Sequence, residues 1–201
     1  MYYKRTNIFI LIVPHRVMDA ALDVYDAIAL TLCANNNELS NRTTLQKLIY
    51  FETLKLNPLK TITYRNHFYG PFSYRVAAAL DEMVAFSRIS EHASSRYNHE
   101  SYHYELTKPG KKYADNIKNK FSDQFGVIRK IVEICNKHCN LQAASLSYAA
   151  KAHYILVNGG KDQYTIDDVQ EAGKKFEWQI SKKGAEKGMI LLEKLELARR
   201  A

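Results

Sequence analysis

Cysteine and histidine residues at helical spacing are the first candidates for chemistry in this chain. Cys135, His138 and Cys139 could ligate zinc, with His99 and His103 supplying further ligands. No second Cys-x-x-Cys accompanies them, and Cys135 lies on an apolar stripe, which favours a buried thiol. A Cys–His catalytic pair would need an oxyanion site, and no glycine-rich phosphate loop or hydrolase motif is present either. We therefore expect no metal, no cofactor and no enzymatic activity.

Basic residues are the second candidates, because they can bind phosphate groups. The 201 residues include 29 lysines and arginines against 21 aspartates and glutamates, a net charge of +8 that favours an anionic partner. Taken singly, each basic residue fits solvated surface better than a DNA contact, and only the set as a whole favours DNA. The candidate DNA contacts are Arg42, Lys47, Ser73, Tyr74, Arg75, Arg96, Lys108, Lys111 and Lys112.

Residues 64–113 must position most of these candidates. Gly70 is expected to interrupt regular secondary structure, and Pro71 suits the first turn of a helix. The apolar residues of that helix, including Val76 and Leu80, recur at helical spacing. Ile89 opens a strand, residues 93–98 are turn-rich, and residues 102–106 alternate as in a half-buried second strand. Thr107 to Gly110 would end that strand and begin a lysine-rich helix. This order predicts a winged helix; the alternative is a helix packed on a hairpin in another α+β domain.

Two helices predicted earlier in the chain complete the winged helix-turn-helix. The first covers residues 19–34, and the second begins within Ser40-Asn41-Arg42-Thr43-Thr44, where serine, asparagine or threonine can cap it, and is closed by Pro58. In this fold the third helix usually reads the major groove, so Arg75 near its N-terminus could bond a guanine edge or a phosphate. Asp81 and Glu82 on the same helix count against DNA, because carboxylates repel phosphate. Arg96 at the tip of the hairpin could reach the minor groove.

After Tyr113 the sequence predicts only helices. We divide the whole chain into an N-terminal extension or tail (residues 1–17), a winged-helix domain (18–115) and a helical extension packed on that domain (116–201). The apolar stripes of the extension predict a homodimer formed through its helices. The apolar run near the N-terminus is too short to span a bilayer, and an odd number of cysteines, three, indicates a reducing, cytoplasmic compartment.

Three motifs carry a resemblance to a known family: Arg42-x-x-Leu45-Gln46-Lys47-Leu48-Ile49-Tyr50, Phe68-Tyr69-Gly70-Pro71-Phe72-Ser73 and Tyr104-x-Leu106-Thr107-x-x-Gly110. They resemble the YwgA family of prokaryotic winged-helix proteins, and residues 149–155 and 174–176 are similar to that family's helical half. The likeness to the Panacea, or SocA-like, antitoxin domain is more distant. The first resemblance implies a fold, and the second implies a protein partner with DNA binding as a further option.

Two functions follow as expectations. The first is a DNA-binding transcriptional regulator whose partner is double-stranded DNA. The second is a protein-interaction module of antitoxin or adaptor type that keeps the winged-helix fold without binding DNA. A continuous positive face across the third helix and the hairpin would favour DNA, whereas a neutral or mixed face would favour a protein partner.

Overall fold

A computed structural model describes residues 21–96, 99–159 and 164–199, except for the side chains of residues 94–96 and 99–100. Within these ranges the chain is mainly helical with one small antiparallel sheet, which confirms the predicted α+β class. The helices are α1 (Val24–Ala34), α2 (Arg42–Lys55), α3 (Tyr74–Ala85), α4 (Lys108–Lys120), α5 (Ser122–Cys139), α6 (Ala143–Asn158), α7 (Ile166–Lys174) and α8 (Lys182–Lys194), and a 3₁₀ helix, Asn57–Thr61, follows α2. The strands are β1 (Glu38–Ser40), β2 (Ile89–Arg96) and β3 (His99–Leu106). The predicted extension, residues 1–17, lies outside the described residues.

The sheet has the strand order β1-β3-β2, with all neighbours antiparallel. Tyr104 and Leu106 are buried and alternate with more exposed residues, as predicted for a half-buried strand. The turn was expected over residues 93–98, but β2 continues to Arg96 because its backbone stays paired with β3 as far as the Arg96–His99 pair. Backbone pairing therefore overrides the polar, turn-rich composition of this segment.

Helix starts are set by capping side chains. Asp23 accepts hydrogen bonds from the N–H groups of Tyr25 and Asp26, so α1 begins at Val24 and not near residue 19. Ser73 caps α3 in the same way, which places the start of that helix at Tyr74. The prediction that Pro71 occupies the first turn of α3 is therefore wrong, and the proline belongs to the loop before the helix.

The apolar core is continuous from the first helices to the last. α1 contacts α3, α4 and α5, whereas α2 contacts α5 and α6. One apolar cluster contains buried residues of the predicted winged-helix domain, such as Ile28 and Phe51, and of the predicted helical extension, such as Ile128 and Ala150. Helix α2 therefore packs on several sides, and its residues 44–53 are all buried.

Helices α6 and α8 approach each other closely. A Cβ atom added to Gly188 of α8 would lie 2.8 Å from the carbonyl oxygen of Tyr148 in α6, so only glycine fits there. Leu191, Leu192 and Leu195 are buried in the monomer. The apolar stripe that suggested a dimer is therefore already covered within one chain. None of the described helices is long and apolar enough to cross a membrane.

Candidate functional site

Residues 65–74, which we call the aromatic loop, carry three large aromatic side chains that face solvent. Phe68, Tyr69 and Tyr74 are 72%, 53% and 68% exposed. Phe68 meets Tyr69 edge to face with ring centroids 4.9 Å apart, and Phe72 meets Tyr74 at 5.1 Å. His67 lies between the two pairs, 5.1 Å from Phe72 and 6.3 Å from Tyr69. Contiguous exposed apolar surface is a common feature of interaction sites, so the aromatic loop is the candidate site of this chain.

The backbone of the aromatic loop is held in a tight turn. Arg65 and Phe72 exchange two backbone hydrogen bonds of 2.9 Å each, and the N–H of Gly70 donates to the carbonyl of His67 at 2.8 Å. Gly70 adopts a φ of +95°, a conformation that side chains with a Cβ atom rarely adopt. The exposed rings therefore stand on a defined backbone.

Side chains of α2 hold the turn by hydrogen bonds to its backbone. The ammonium group of Lys47 donates a 2.7 Å hydrogen bond to the carbonyl oxygen of Pro71. The amide of Gln46 donates to the Ser73 carbonyl at 3.0 Å and accepts from the Ser73 N–H at 3.1 Å. Gln46, Lys47 and Ser73 are all at most 2% exposed.

Two predicted DNA contacts must therefore be corrected. Lys47 is buried, with its ammonium group directed to the Pro71 carbonyl, and the hydroxyl of Ser73 accepts from the Val76 N–H as a helix cap. Neither group reaches the surface, so neither can contact a phosphate in this structure. Their role is to fix the aromatic loop against α2 and α3.

The C-terminal half holds the other side of the loop. The indole N–H of Trp178 donates a 2.7 Å hydrogen bond to the carbonyl of His67. Trp178 stacks on Phe176 with ring centroids 5.1 Å apart, and Tyr154 of α6 meets both rings edge to face. The loop is therefore positioned by elements from both ends of the chain.

Lys151 of α6 lies beside these rings. Its ammonium nitrogen is 5.9 Å from the ring centroid of Phe68 and 5.5 Å from that of Trp178, within the range of cation–π attraction. Burial lowers the pKa of Lys151. Burial, followed by repulsion from Lys151, lowers the pKa of Lys47 to about 7. Two cationic side chains thus share the space beneath the loop.

Arg42 was predicted to contact DNA but is engaged within the chain. Its guanidinium lies 2.8 Å from a carboxylate oxygen of Asp81 on α3 and 3.1 Å from one of Glu91 on β2. Its Nε also donates to the hydroxyl of Tyr104 at 3.1 Å. Arg42 therefore ties α2 to α3 and the sheet, and its charge is largely balanced.

Arg75 and Tyr74 remain exposed in the first turn of α3, where the sequence placed them. Asp81 and Glu82 are exposed on the same helix. The hydroxyl of Tyr25 in α1 donates to Glu82 at 2.5 Å. The outward surface of α3 consequently carries both signs of charge.

The other predicted basic contacts belong to α4 and to the end of β2. Lys108 and Lys112 are exposed on α4, whereas Lys111 pairs with Glu105 of β3 at 3.2 Å. Arg96 is the last residue of β2, and its side chain is outside the described set. The hydrogen bonds and ion pairs of the described residues do not join these side chains to Arg75.

The cysteine–histidine cluster has a structural explanation. Cys135 is fully buried, and burial raises the pKa of its thiol. The thiol of Cys139 donates to the Cys135 carbonyl at 3.0 Å, and His138 is exposed. Among residues 21–96, 99–159 and 164–199, no group of three or more histidines, cysteines or acids is arranged to hold a metal.

Three further titratable side chains, Glu52, Tyr50 and His153, are buried in or beside α2. One carboxylate oxygen of Glu52 accepts from the Thr31 hydroxyl at 2.8 Å, and the other has no hydrogen-bond partner in the described part of the chain. Burial raises the pKa of Glu52 to about 8, although the Thr31 hydrogen bond opposes this shift. The hydroxyl of Tyr50 lies 2.8 Å from Nδ1 of His153, whose pKa burial lowers to about 4.

Sequence reasoning missed the residues that build this site: Gln46, Phe68, Tyr69, Lys151 and Trp178. Gln46, Phe68 and Tyr69 belong to the motifs behind the family resemblance, but a motif does not show which of its side chains is buried or exposed. Trp178, the single tryptophan of the chain, belonged to none of the sequence motifs or apolar repeats from which we made predictions. Residues 53–80 contain no aspartate or glutamate, and this feature could have predicted a positively charged surface at the loop.

Comparisons with known proteins add a relationship at the level of sequence. No family model matches the chain. It is similar to the "Uncharacterized protein YwgA" of Bacillus subtilis (strain 168), with 24% identity over 144 residues, which cover 69% of this chain and 86% of that protein. This similarity supports the relationship to YwgA-like proteins expected from the motifs.

Proposed function

We propose that this chain is a protein-binding module, built on a winged helix, that docks a partner on its aromatic loop. The observation that carries the proposal is the exposure of Phe68, Tyr69 and Tyr74 on a backbone fixed by hydrogen bonds. Aromatic side chains dominate the energetics of protein interfaces. A surface that is already ordered loses little conformational freedom when it binds, which favours affinity.

The winged-helix part of the proposal is supported by element order. Helices α1, α2 and α3 are followed by the hairpin of β2 and β3, and the short β1 adds to the hairpin on the β3 side. In this interpretation α3 is the third helix and the hairpin is the wing. The aromatic loop then leads into the third helix, whose first residue, Tyr74, is also the last residue of the loop.

Charge distribution favours a protein partner over DNA. Residues 18–115 contain eleven lysines and arginines and eleven aspartates and glutamates, so the net charge of +8 comes from the rest of the chain. DNA binding depends on a basic surface that neutralises several phosphates. Arg42 is engaged with Asp81, and Arg75 shares its helix with Glu82. This mixed surface is the one expected for the interaction module of antitoxin or adaptor type.

DNA binding is the second candidate, and one observation favours it. Arg75 is exposed in the first turn of α3 and forms no ion pair with a carboxylate in the described part of the chain. Lys108 and Lys112 on α4 are exposed as well. If α3 entered a major groove, Arg75 would be the side chain to read a base and the α4 lysines would contact the backbone.

A matched pair of variants tests the leading proposal. Phe68→Ser removes an aromatic anchor of the loop, and Phe86→Ser removes an aromatic ring of similar exposure, 75%, at the far end of α3. The wild type and both variants are used as baits in lysate of the source organism, with quantitative mass spectrometry. We expect a partner that the wild type and Phe86→Ser both capture and that Phe68→Ser loses. The same partner, once purified, should bind the wild type directly. If no purified protein binds in a Phe68-dependent way, the proposal is wrong.

A further inference from the structure

We infer, on the basis of the proposed function, that the partner presents a carboxylate to Lys151 beside an apolar side chain that packs on Phe68. The aromatic loop supplies the apolar contact, and the ammonium group at its edge supplies the charge. The partner is thus a protein with an exposed acidic segment containing an apolar residue.

The first reason is the position of the Lys151 ammonium group. It lies between the rings of Phe68 and Trp178, in a half-buried place that burial makes unfavourable for a charge. No described carboxylate lies within ion-pair distance of it, whereas the half-buried Lys111 and Lys118 pair with Glu105 at 3.2 Å and with Asp115 at 3.1 Å. A carboxylate brought by a partner would complete this site.

The second reason is that other polar groups converge on the same place. A Cβ atom built on Gly70 would lie 3.0 Å from Cγ of Lys151 and 3.6 Å from Cε of Lys47, so the loop backbone rests on both lysine side chains. The hydroxyl of Ser147, one turn before Lys151, is buried without a hydrogen-bond partner in the described residues. The two lysines repel each other, and an anion at Lys151 would relieve that repulsion.

The third reason is the charge of the surrounding sequence. Residues 53–80 and 134–161 contain no aspartate or glutamate, and the first stretch includes Lys55, Lys60, Arg65 and Arg75. The charged side chains that these two stretches themselves supply are therefore basic, without an acidic one among them. Complementary charge of this kind steers an acidic partner and rejects a basic one.

An acidic peptide fits these features better than a single-stranded nucleic acid. Binding to single strands uses open ring faces on which bases stack and a basic groove that follows the phosphates. Here the exposed rings meet their neighbours edge to face, Phe68 with Tyr69 and Tyr74 with Phe72, and do not stand as parallel faces along a groove. One half-buried ammonium group suits a single carboxylate.

Selection from random peptides tests the inference directly on the chain, whichever protein the partner is. The full chain is immobilised, and phage displaying random linear peptides are selected against it and counter-selected on Phe68→Ser. We expect enrichment of aspartate or glutamate next to an aliphatic or aromatic residue. Lys151→Met keeps the aliphatic side chain against Gly70 and should weaken the selected peptides by roughly tenfold or more, the loss typical of a charge-assisted pair. Lys60→Met, an equal loss of charge on the exposed 3₁₀ helix, should not.

The outcomes separate this inference from the proposed function. Phe68-dependent peptides without acidic enrichment, or with equal affinity for Lys151→Met and wild type, overturn the carboxylate site and leave the docking function in place. A selection that yields no Phe68-dependent peptide overturns both. An oligothymidylate that binds the loop more tightly than the selected peptides and displaces them would assign the surface to nucleic acid and overturn both as well.

Discussion

The buried ammonium group of Lys47 donates a 2.7 Å hydrogen bond to the carbonyl oxygen of Pro71. This contact joins two of the three motifs that carry the family resemblance, the one on α2 and the one in the aromatic loop. A polar side chain that is 1% exposed has lost its hydration, so its hydrogen bond cannot be replaced by water without opening the structure. The position of the loop is consequently set by the position of α2.

Lys47→Met should loosen the aromatic loop while leaving the fold intact. Removal of the buried amine deletes the Pro71 hydrogen bond but also the cost of burying a charge, so global stability should change by only about 1 kcal/mol. Amide hydrogen exchange at Gly70 and Phe72, whose N–H groups bond within the loop, should accelerate. Lys55→Met at the exposed end of α2 is the control, and unchanged exchange at both amides would show that Lys47 does not hold the loop.

Glu52→Gln should stabilise the protein increasingly as the pH rises. The pKa of Glu52 is about 8 in the folded chain and 4.5 for the ordinary carboxyl, so the folded state holds one extra proton between these values. Its contribution to stability therefore falls from pH 4.5 to 8, by roughly 1.4 kcal/mol per pH unit at most. His153, with a pKa near 4, shifts stability in the opposite direction below pH 6.5. The difference in unfolding free energy between variant and wild type isolates Glu52; a difference independent of pH would contradict its burial as a neutral acid.

Gly188→Ala should separate α8 from α6. The new methyl group would lie 2.8 Å from backbone atoms of Tyr148, which cannot rotate away, so we expect a loss of about 1–3 kcal/mol. Gly126→Ala on α5 meets no atom within 4 Å and should stabilise its helix by about 0.5–1 kcal/mol. Urea unfolding of both variants measures the two effects, and equal behaviour would show that the helices are not in close contact.

DNA binding through α3 makes a different prediction from the protein-binding proposal. If α3 and the hairpin neutralised about four to six phosphates, log K against log salt would have a slope near −4 to −5. Arg75→Ala would then cost roughly 1–3 kcal/mol on a selected site, and Arg96→Ala would weaken all sequences alike. We expect no such binding in a mobility-shift titration, because residues 18–115 carry equal numbers of basic and acidic side chains. Salt-dependent binding sensitive to Arg75 would favour the regulator instead.

Self-association through the C-terminal helices has little apolar surface to use. In the described part of that region, Val157 and Ile190 are the large apolar side chains that remain exposed, at 67% and 42%. Stable interfaces bury extended surfaces on each partner, so we expect a monomer by light scattering at high protein concentration. A dimer that Ile190→Ser dissociates would restore the predicted assembly.

Several elements were predictable because local physics decides them. At Ile89 the apolar residues change from helical spacing to strand-like alternation, which predicts the start of the hairpin. The hydroxyl of Thr107 caps α4 by accepting a hydrogen bond from the Gly110 N–H. Predictions failed where two local signals compete. Pro71 suits a helix start, yet Ser73 two residues later provides the capping hydroxyl, and the pairing of Arg65 with Phe72 keeps the proline in the loop.

The sequence alone determined the order of the main helices and of the hairpin formed by β2 and β3, because spacing, caps and turn residues act over a few positions. The short β1 was not predicted, since it exists only through its pairing with β3. The sequence did not determine which polar residues face the interior. Helix α2 is buried across residues 44–53, with Gln46, Lys47 and Glu52 among apolar neighbours, so it has no polar face that periodicity could detect. Only the packing of the loop and α6 against α2 makes Lys47 an internal support. The same packing places Lys151 beside Phe68 and Trp178, which are distant in sequence, and only the tertiary structure can bring such residues together.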